Sequence, residues 1–113
     1  MKRPTGIDLF SGAGGMSLGF EQAGFDVVAM VEIDPIHAAT HKYNFPDCAT
    51  IAASIIDIKA ETLLKASRLT EGPDVVFGGA PCQGFSMIGQ RSIDDPRNRL
   101  VKEFVRIVRD TNA

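Results

Sequence analysis

The sequence predicts an α/β fold built on a parallel sheet. Three observations lead there: apolar runs rich in branched residues recur along the chain, segments of helical period follow them, and Gly, Pro or Asn clusters mark the joins. Four such strand–helix units fit within 113 residues, the usual size of one domain, and 44% hydrophobic content is enough to bury a single core. Residues 1–113 are therefore read as one unit, with no internal repeat, linker or low-complexity segment.

The first strand is expected at Gly6–Phe10. Ser11-Gly12-Ala13-Gly14-Gly15 then turns into a helix whose buried candidates are Met16, Leu18, Phe20 and Ala23, and Gly24 ends it. The second strand, Asp26–Ile33, is nearly all apolar, as a strand covered on both faces should be. Asp34-Pro35 supplies an N-cap and first helical residue, Ile36, Ala39 and Tyr43 recur at helical spacing, and Asn44-Phe45-Pro46 closes the unit. A weaker third strand lies between Ala49 and Ile58, followed by a helix containing Leu63, Leu64 and Ala66. The fourth strand, Asp74–Phe77, runs into a loop too rich in Gly and Pro to continue it, reaching about Asp94. Asp95-Pro96 repeats the cap signal, and Leu100, Phe104, Ile107 and Val108 mark the buried face of a last helix.

Composition sets limits on function. A formal charge of −2 without a Lys/Arg run gives no electrostatic footprint for nucleic acid. No stretch approaches the roughly 20 apolar residues of a membrane span, and Met1-Lys2-Arg3-Pro4 opens no signal peptide, so a cytoplasmic protein without a membrane partner is expected. Cys48 and Cys82, 34 positions apart, suggest neither a zinc site nor a disulfide framework. Cys48 suits the role of a small buried hydrophobe. His37 and His41 stand one helical turn apart, but no third ligand is placed near them and no metal is expected.

In an open α/β sheet, ligands bind beyond the carboxyl ends of the strands, near the reversal of strand order. Phe10 with the glycine turn, Glu32, Asp57 and Pro81-Cys82 would each end a strand and share that edge. The glycines admit close approach of a ligand to backbone amides, which alone is weak evidence. Glu32 follows Gly12 by 20 residues, the separation at which an acid accepts from ribose hydroxyls, so the pair points to a nucleoside cofactor. Ser17 stands where a dinucleotide fingerprint needs its third glycine, which demotes a nicotinamide enzyme to runner-up. Position alone leaves Asp57 open between an acceptor for an adenine amine and a helix N-cap. It likewise leaves Cys82 open between a nucleophile and an inert thiol.

Taken together, Asp8-Leu9-Phe10-Ser11-Gly12-Ala13-Gly14-Gly15, Glu32-x-Asp34, Asp57-Ile58, Gly78-Gly79-Ala80-Pro81-Cys82-Gln83-Gly84-Phe85-Ser86 and Asp95-Pro96-Arg97-Asn98-x-Leu100 resemble successive motifs of the DNA cytosine-5 methyltransferases. The likeness runs in order over essentially the whole chain, and its Pro-Cys-Gln element is highly specific. Ala80 stands where the family often has a second Pro.

The resemblance implies a Rossmann-like, S-adenosylmethionine-dependent methyltransferase fold. It implies Phe10 stacking on the adenine, the Gly12–Gly15 turn cradling the methionine end, Glu32 holding the ribose, Ile33 packing on the adenine, and Asp57 and Ile58 binding its edge. Ala13, Pro81 and Leu100 join the cofactor-binding set. Cys82 matches the nucleophile that attacks C6 of a cytosine flipped out of double-stranded DNA. Gln83 and Ser86 would approach the DNA, and Arg97 would lie near the far hinge of the loop.

The family's Glu-Asn-Val motif, its downstream arginine motif and its target recognition region do not occur in these residues, so the expected fold stops after about four units. Accordingly this chain alone is expected not to methylate DNA, its fourth strand offering an apolar edge to a complementing C-terminal chain or to a second copy. The competing readings are a module that binds S-adenosylmethionine without catalysis and a tRNA cytosine-5 methyltransferase. Gly84-Phe85-Ser86 after Gln83 favours the DNA enzymes over the latter.

Overall fold

A computed structural model of the chain describes residues 2–79 and 98–113. Its elements are β1 (Thr5–Leu9), α1 (Gly15–Gln22), β2 (Asp26–Val31), α2 (Pro35–Asn44), β3 (Ala49–Ile51), a 3-10 turn (Ile55–Asp57), α3 (Ala60–Ser67), β4 (Val75–Phe77) and α4 (Asn98–Asp110). All strand pairs are parallel and the order is β3-β2-β1-β4, so the chain steps outward from β1 to β3 and then returns to the other side of β1. The reversal falls between β1 and β4. This is the α/β parallel sheet that the alternating pattern predicts.

The sheet is covered on both faces. Ile7 and Leu9 of β1 with Ala29 and Val31 of β2 alternate inward against Ile55, Ile58, Leu63 and Ile107. Met30, Val27 and Phe77 pack with Ala38 and Cys48, flanked by Phe20 and Phe45, with the Phe20 and Phe77 rings stacked 3.8 Å apart. Cys48 is the buried hydrophobe expected of it, and burial pushes its thiol up to about 12. In α4, Leu100, Phe104 and Ile107 do face the core, as their spacing predicts.

Three elements differ from expectation. In α1 the buried residue is Ser17, while Met16 and Leu18 are 46% and 49% exposed and Ala23 is also exposed. In α2 the inward residues are Ala38 and His41, and Ile36, Ala39 and Tyr43 point to solvent. One cause accounts for both: a polar contact between the helices, described below, sets their rotation in place of the apolar stripe. The third strand is only Ala49–Ile51, so Asp57 does not end it but closes the 3-10 turn six residues later.

The α2 start follows the sequence closely. Asp34 Oδ1 accepts from Ile36 N at 2.9 Å and His37 N at 3.5 Å, with Pro35 at the first helical position. Among the described residues β4 pairs only with β1 and forms one edge of the sheet. Just beyond it Gly78 has φ 154, and a Cβ there would lie 1.9 Å from the Leu9 carbonyl oxygen, so only glycine allows β4 to leave the sheet this close to β1.

The helix rotations and the α4 packing can be tested together. Ile107→Ala should cost about 2–5 kcal/mol in urea denaturation, whereas Tyr43→Ala should stay within about 0.5 kcal/mol of the parent. A large loss from Tyr43→Ala would show that α2 is rotated differently.

Candidate functional site

The carboxyl edge of the sheet is organised by Glu32, the residue directly after β2. Its backbone N–H donates to the Ile51 carbonyl at 3.0 Å, which ties it to β3. Its side chain is nearly buried, with Oε1 accepting from Gly12 N at 2.8 Å and Oε2 accepting from Asp34 N at 2.7 Å. One carboxylate therefore fastens the glycine turn after β1 to the cap of α2. Ionised, it has about four lone-pair sites and uses two here, leaving one on each oxygen for a pair of neighbouring hydroxyls.

The turn is fixed from the other side as well. Ser11 N donates to the Val31 carbonyl at 3.1 Å, and Gly14 N to the Ser11 carbonyl at 3.1 Å. Gly14 has φ 107, and a Cβ on it would sit 2.7 Å from the Phe45 ring and 2.9 Å from the His41 ring, so this position admits no side chain. Phe10 is held at φ 58, a left-handed conformation that costs a bulky residue about 1–3 kcal/mol. That bend carries the chain from β1 into the turn with the Phe10 side chain against the cavity described next.

Phe10, Val31, Glu32, Ile33, Ala53, Ser54, Ile55 and Leu100 enclose a cavity of about 110 Å³. Whole ligand clefts measure about 300–1,000 Å³, so this space suits a single flat ring, with the rest of a ligand running past Glu32 toward the turn. Among the described residues its walls are apolar apart from Glu32 and Ser54. Ile33 is 69% exposed, at the rim. Larger depressions of about 500 and 610 Å³ occur at the opposite edge, around Thr5, Gly72 and Asp74, and contain none of the residues singled out from the sequence.

The structure thus brings Phe10, Gly12, Glu32, Ile33 and Leu100 to one edge. Ala13 and Gly15 line a shallow cleft beside it with Leu18, Asn44 and Phe45. Asp57 and Ile58 are not among the cavity's walls: Asp57 is exposed and Ile58 is 5% exposed within the core. Nor does Asp57 cap α3, whose N-cap is Lys59. Pro81, Cys82, Gln83, Ser86 and Arg97 lie outside the described residues. Among those described, no His, Cys, Asp and Glu cluster could hold a metal, and no helix is long and apolar enough to cross a membrane.

A buried polar chain that the sequence reading missed lies behind the turn. Ser17 Oγ donates to Asp8 Oδ2 at 2.6 Å and lies 2.9 Å from His41 Nε2, with all three residues at most 1% exposed. With Ser17 donating to Asp8, His41 donates through its Nε2–H. The chain joins β1, α1 and α2, and it places the His41 ring against Gly14. Burial, helped by the nearby Glu32 charge and opposed by the Ser17 bond, pushes the Asp8 carboxyl up to about 6. Burial also lowers the His41 imidazole below its usual range. Two sequence signals pointed here: an acid inside an apolar strand, and a serine where close helix packing would favour glycine.

Comparison with known proteins identifies the family. The model of the C-5 cytosine-specific DNA methylase family matches residues 5–113. The chain is 60% identical over 109 residues to the Type II methyltransferase M.XorII of Xanthomonas oryzae pv. oryzae, covering 96% of this chain and 26% of that protein. It is 50% identical over 110 residues to the Type II methyltransferase M1.HphI of Haemophilus parahaemolyticus, covering 95% and 29%. A crystal structure of a candidate DNA modification methyltransferase from an E. coli prophage superposes with a TM-score of 0.81 at 40% identity, covering 96% and 29%. The chain therefore spans between a quarter and a third of the length of these relatives.

The buried chain should show in the pH dependence of stability. Between about pH 4 and 6 the folded state keeps the Asp8 proton that the unfolded state loses, so this group's contribution falls as pH rises through that window and is level above it. His41 acts oppositely, since the unfolded imidazole takes up a proton below its usual range that the folded one resists. Relative to the parent, Asp8→Asn should therefore gain stability as pH rises from about 4 to 6, by on the order of 3 kcal/mol at most. Urea denaturation at each pH measures this, and a constant difference would show that Asp8 is not perturbed by burial.

Proposed function

Because the chain belongs to the C-5 cytosine-specific DNA methylase family, we propose that it forms the cofactor-binding and nucleophile-bearing part of an enzyme that methylates C5 of cytosine in DNA, with S-adenosylmethionine as methyl donor. The observation that carries the reading is Glu32, whose carboxylate is held by Gly12 N and Asp34 N beside a cavity the size of one ring. An adenosyl group fits what these residues offer: the apolar walls take the flat base, and the unused lone pairs of Glu32 take two vicinal hydroxyls. Phe10 stacks on the ring, Ile33 and Leu100 close over it, and the turn from Gly12 to Gly15 receives the amino-acid end. When bound, S-adenosylmethionine supplies an electrophilic methyl group at this edge.

In sequence Cys82 comes five residues after β4, the strand that flanks the reversal of strand order. In this reading its thiolate adds to C6 of a cytosine turned out of the duplex, which raises electron density at C5. Once C5 carries the added methyl group, loss of the C5 proton lets the thiolate leave. Pro81 shapes the loop, Gln83 and Ser86 meet the DNA, and Arg97 lies near the far hinge. A complementing chain that adds a strand to the β4 edge belongs to the same proposal. Self-association through that edge is its alternative, and sedimentation separates the two.

Two measurements test this. In calorimetry the chain should bind S-adenosylhomocysteine, and Glu32→Ala should weaken binding by about tenfold or more, the worth of a hydrogen bond to a charged group. Glu32→Gln should also weaken it, because the amide NH2 would face a backbone N–H. With duplex DNA containing 5-fluorocytosine, where fluorine blocks loss of the C5 proton, the chain supplemented with the C-terminal part of a relative should form a covalent adduct that Cys82→Ser abolishes. Cofactor binding without any adduct would instead mark a module that holds the cofactor without catalysis.

A further inference from the structure

We propose that His41 is a positioning residue for the amino-acid end of the cofactor: aimed by Ser17 and Asp8, its ring fixes the glycine turn at Gly14, while other bonds hold the cavity for the base. The proposal rests on the cofactor reading above and assigns the turn its second support. The turn has two ends to secure. At Gly12 the amide is bonded to the Glu32 carboxylate at 2.8 Å. At Gly14, the N-cap of α1, no side chain caps the helix and the backbone is left-handed at φ 107. What meets Gly14 instead is a pair of rings. A Cβ on it would lie 2.9 Å from His41 Cδ2 and 2.7 Å from Phe45 Cε2, and the ring centres stand 4.7 Å apart at a tilt of 36°. Gly14 and Phe45 also line the shallow cleft beside the cavity, together with Ala13, Gly15, Leu18 and Asn44.

His41 sets the place of both rings. It is the one large buried side chain of α2, the other buried residue being Ala38. Its own ring is aimed from the sheet, with Nε2–H donating to Ser17 Oγ at 2.9 Å and Ser17 Oγ donating to Asp8 Oδ2 at 2.6 Å. Among the described residues Nδ1 has no hydrogen-bond partner, so the polar anchoring of the ring rests on Ser17. One helical turn later Phe45 N donates to the His41 carbonyl at 2.8 Å, which brings the second ring to the same glycine. The cavity is secured differently. Glu32 N donates to the Ile51 carbonyl at 3.0 Å. Arg106 of α4, also paired with Glu103, donates through Nη2 to the Ile55 carbonyl at 3.0 Å and the Ile58 carbonyl at 2.9 Å. None of these bonds passes through Asp8, Ser17 or His41. Loosening the rings therefore frees the Gly14 end of the turn and leaves the cavity walls in place.

The consequence is a division of the ligand into two parts that respond separately. Titration calorimetry with S-adenosylhomocysteine and with methylthioadenosine, which keeps the base, ribose and sulfur but lacks the amino-acid end, reads it as a ratio of affinities. The parent should bind S-adenosylhomocysteine more tightly, by about tenfold or more. His41→Ala should weaken S-adenosylhomocysteine by about 5- to 30-fold, as expected when one backbone residue must be ordered on binding, and methylthioadenosine by less than about twofold. Ser17→Ala keeps the ring but removes its anchor, and should shift the same ratio by about 2- to 10-fold. His41→Phe keeps a ring against Gly14 and should weaken S-adenosylhomocysteine less than His41→Ala does. Ile107→Ala, in the core on the other face of the sheet, should leave the ratio unmoved. If His41→Ala does not fold, the ratio in Ser17→Ala decides alone. Equal weakening of both ligands in the His41 and Ser17 variants, or a ratio that moves as far in Ile107→Ala, overturns the proposal and leaves His41 a core residue. A parent that binds the two ligands equally also overturns it, while the base and ribose part of the cofactor reading stands. A parent that binds neither overturns the cofactor reading itself.

Discussion

The architecture of the carboxyl edge depends on a single carboxylate. Glu32 receives the amide of Gly12 on one oxygen and that of Asp34 on the other, and its own N–H is donated to Ile51. Hydrogen bonds to a carboxylate are about twice as strong as neutral ones, and the two to Glu32, with its backbone bond to Ile51, connect the turn after β1, the cap of α2 and the end of β3. That connection adds to the bonds from Ser11 N to the Val31 carbonyl and from Gly14 N to the Ser11 carbonyl, which hold the same turn. With it, the turn is preorganised before any ligand arrives, so less ordering entropy is lost on binding.

The rest of the site can be read as support for this bridge. Phe10 accepts a strained backbone so that the chain can pass from β1 into the turn. Behind it, Asp8, Ser17 and His41 form a water-excluded chain that sets the rotation of α1 and α2 and presses an aromatic surface against Gly14. A buried acid raised to about 6 is costly near neutral pH, and such costs persist where the geometry they secure is needed. On the other side Arg106 pins the turn from Ile55 to Ile58, so α4 and the cavity wall act as one body.

Much of this was legible in the sequence, and the parts that were not share a physical reason. The parallel sheet, the Asp34-Pro35 cap, the inward face of α4 and the pairing of Gly12 with Glu32 follow from local pattern and spacing, which are set by few residues. The faces of α1 and α2 did not follow, because Ser17 and His41 turn inward to satisfy Asp8, and no periodicity count registers a polar contact across 24 positions. Asp57 was misplaced for a similar reason. An acid after a weak strand looks like the strand's end, but β3 stops at Ile51 and Asp57 closes the 3-10 turn six residues later.

The most direct test of this account is a crystal structure of the chain with S-adenosylhomocysteine. The account predicts the adenine in the cavity beside Phe10 and Leu100, with both ribose hydroxyls on Glu32 while its bonds to Gly12 N and Asp34 N stay in place. A ligand bound elsewhere, or one seated in the cavity without touching Glu32, would contradict it.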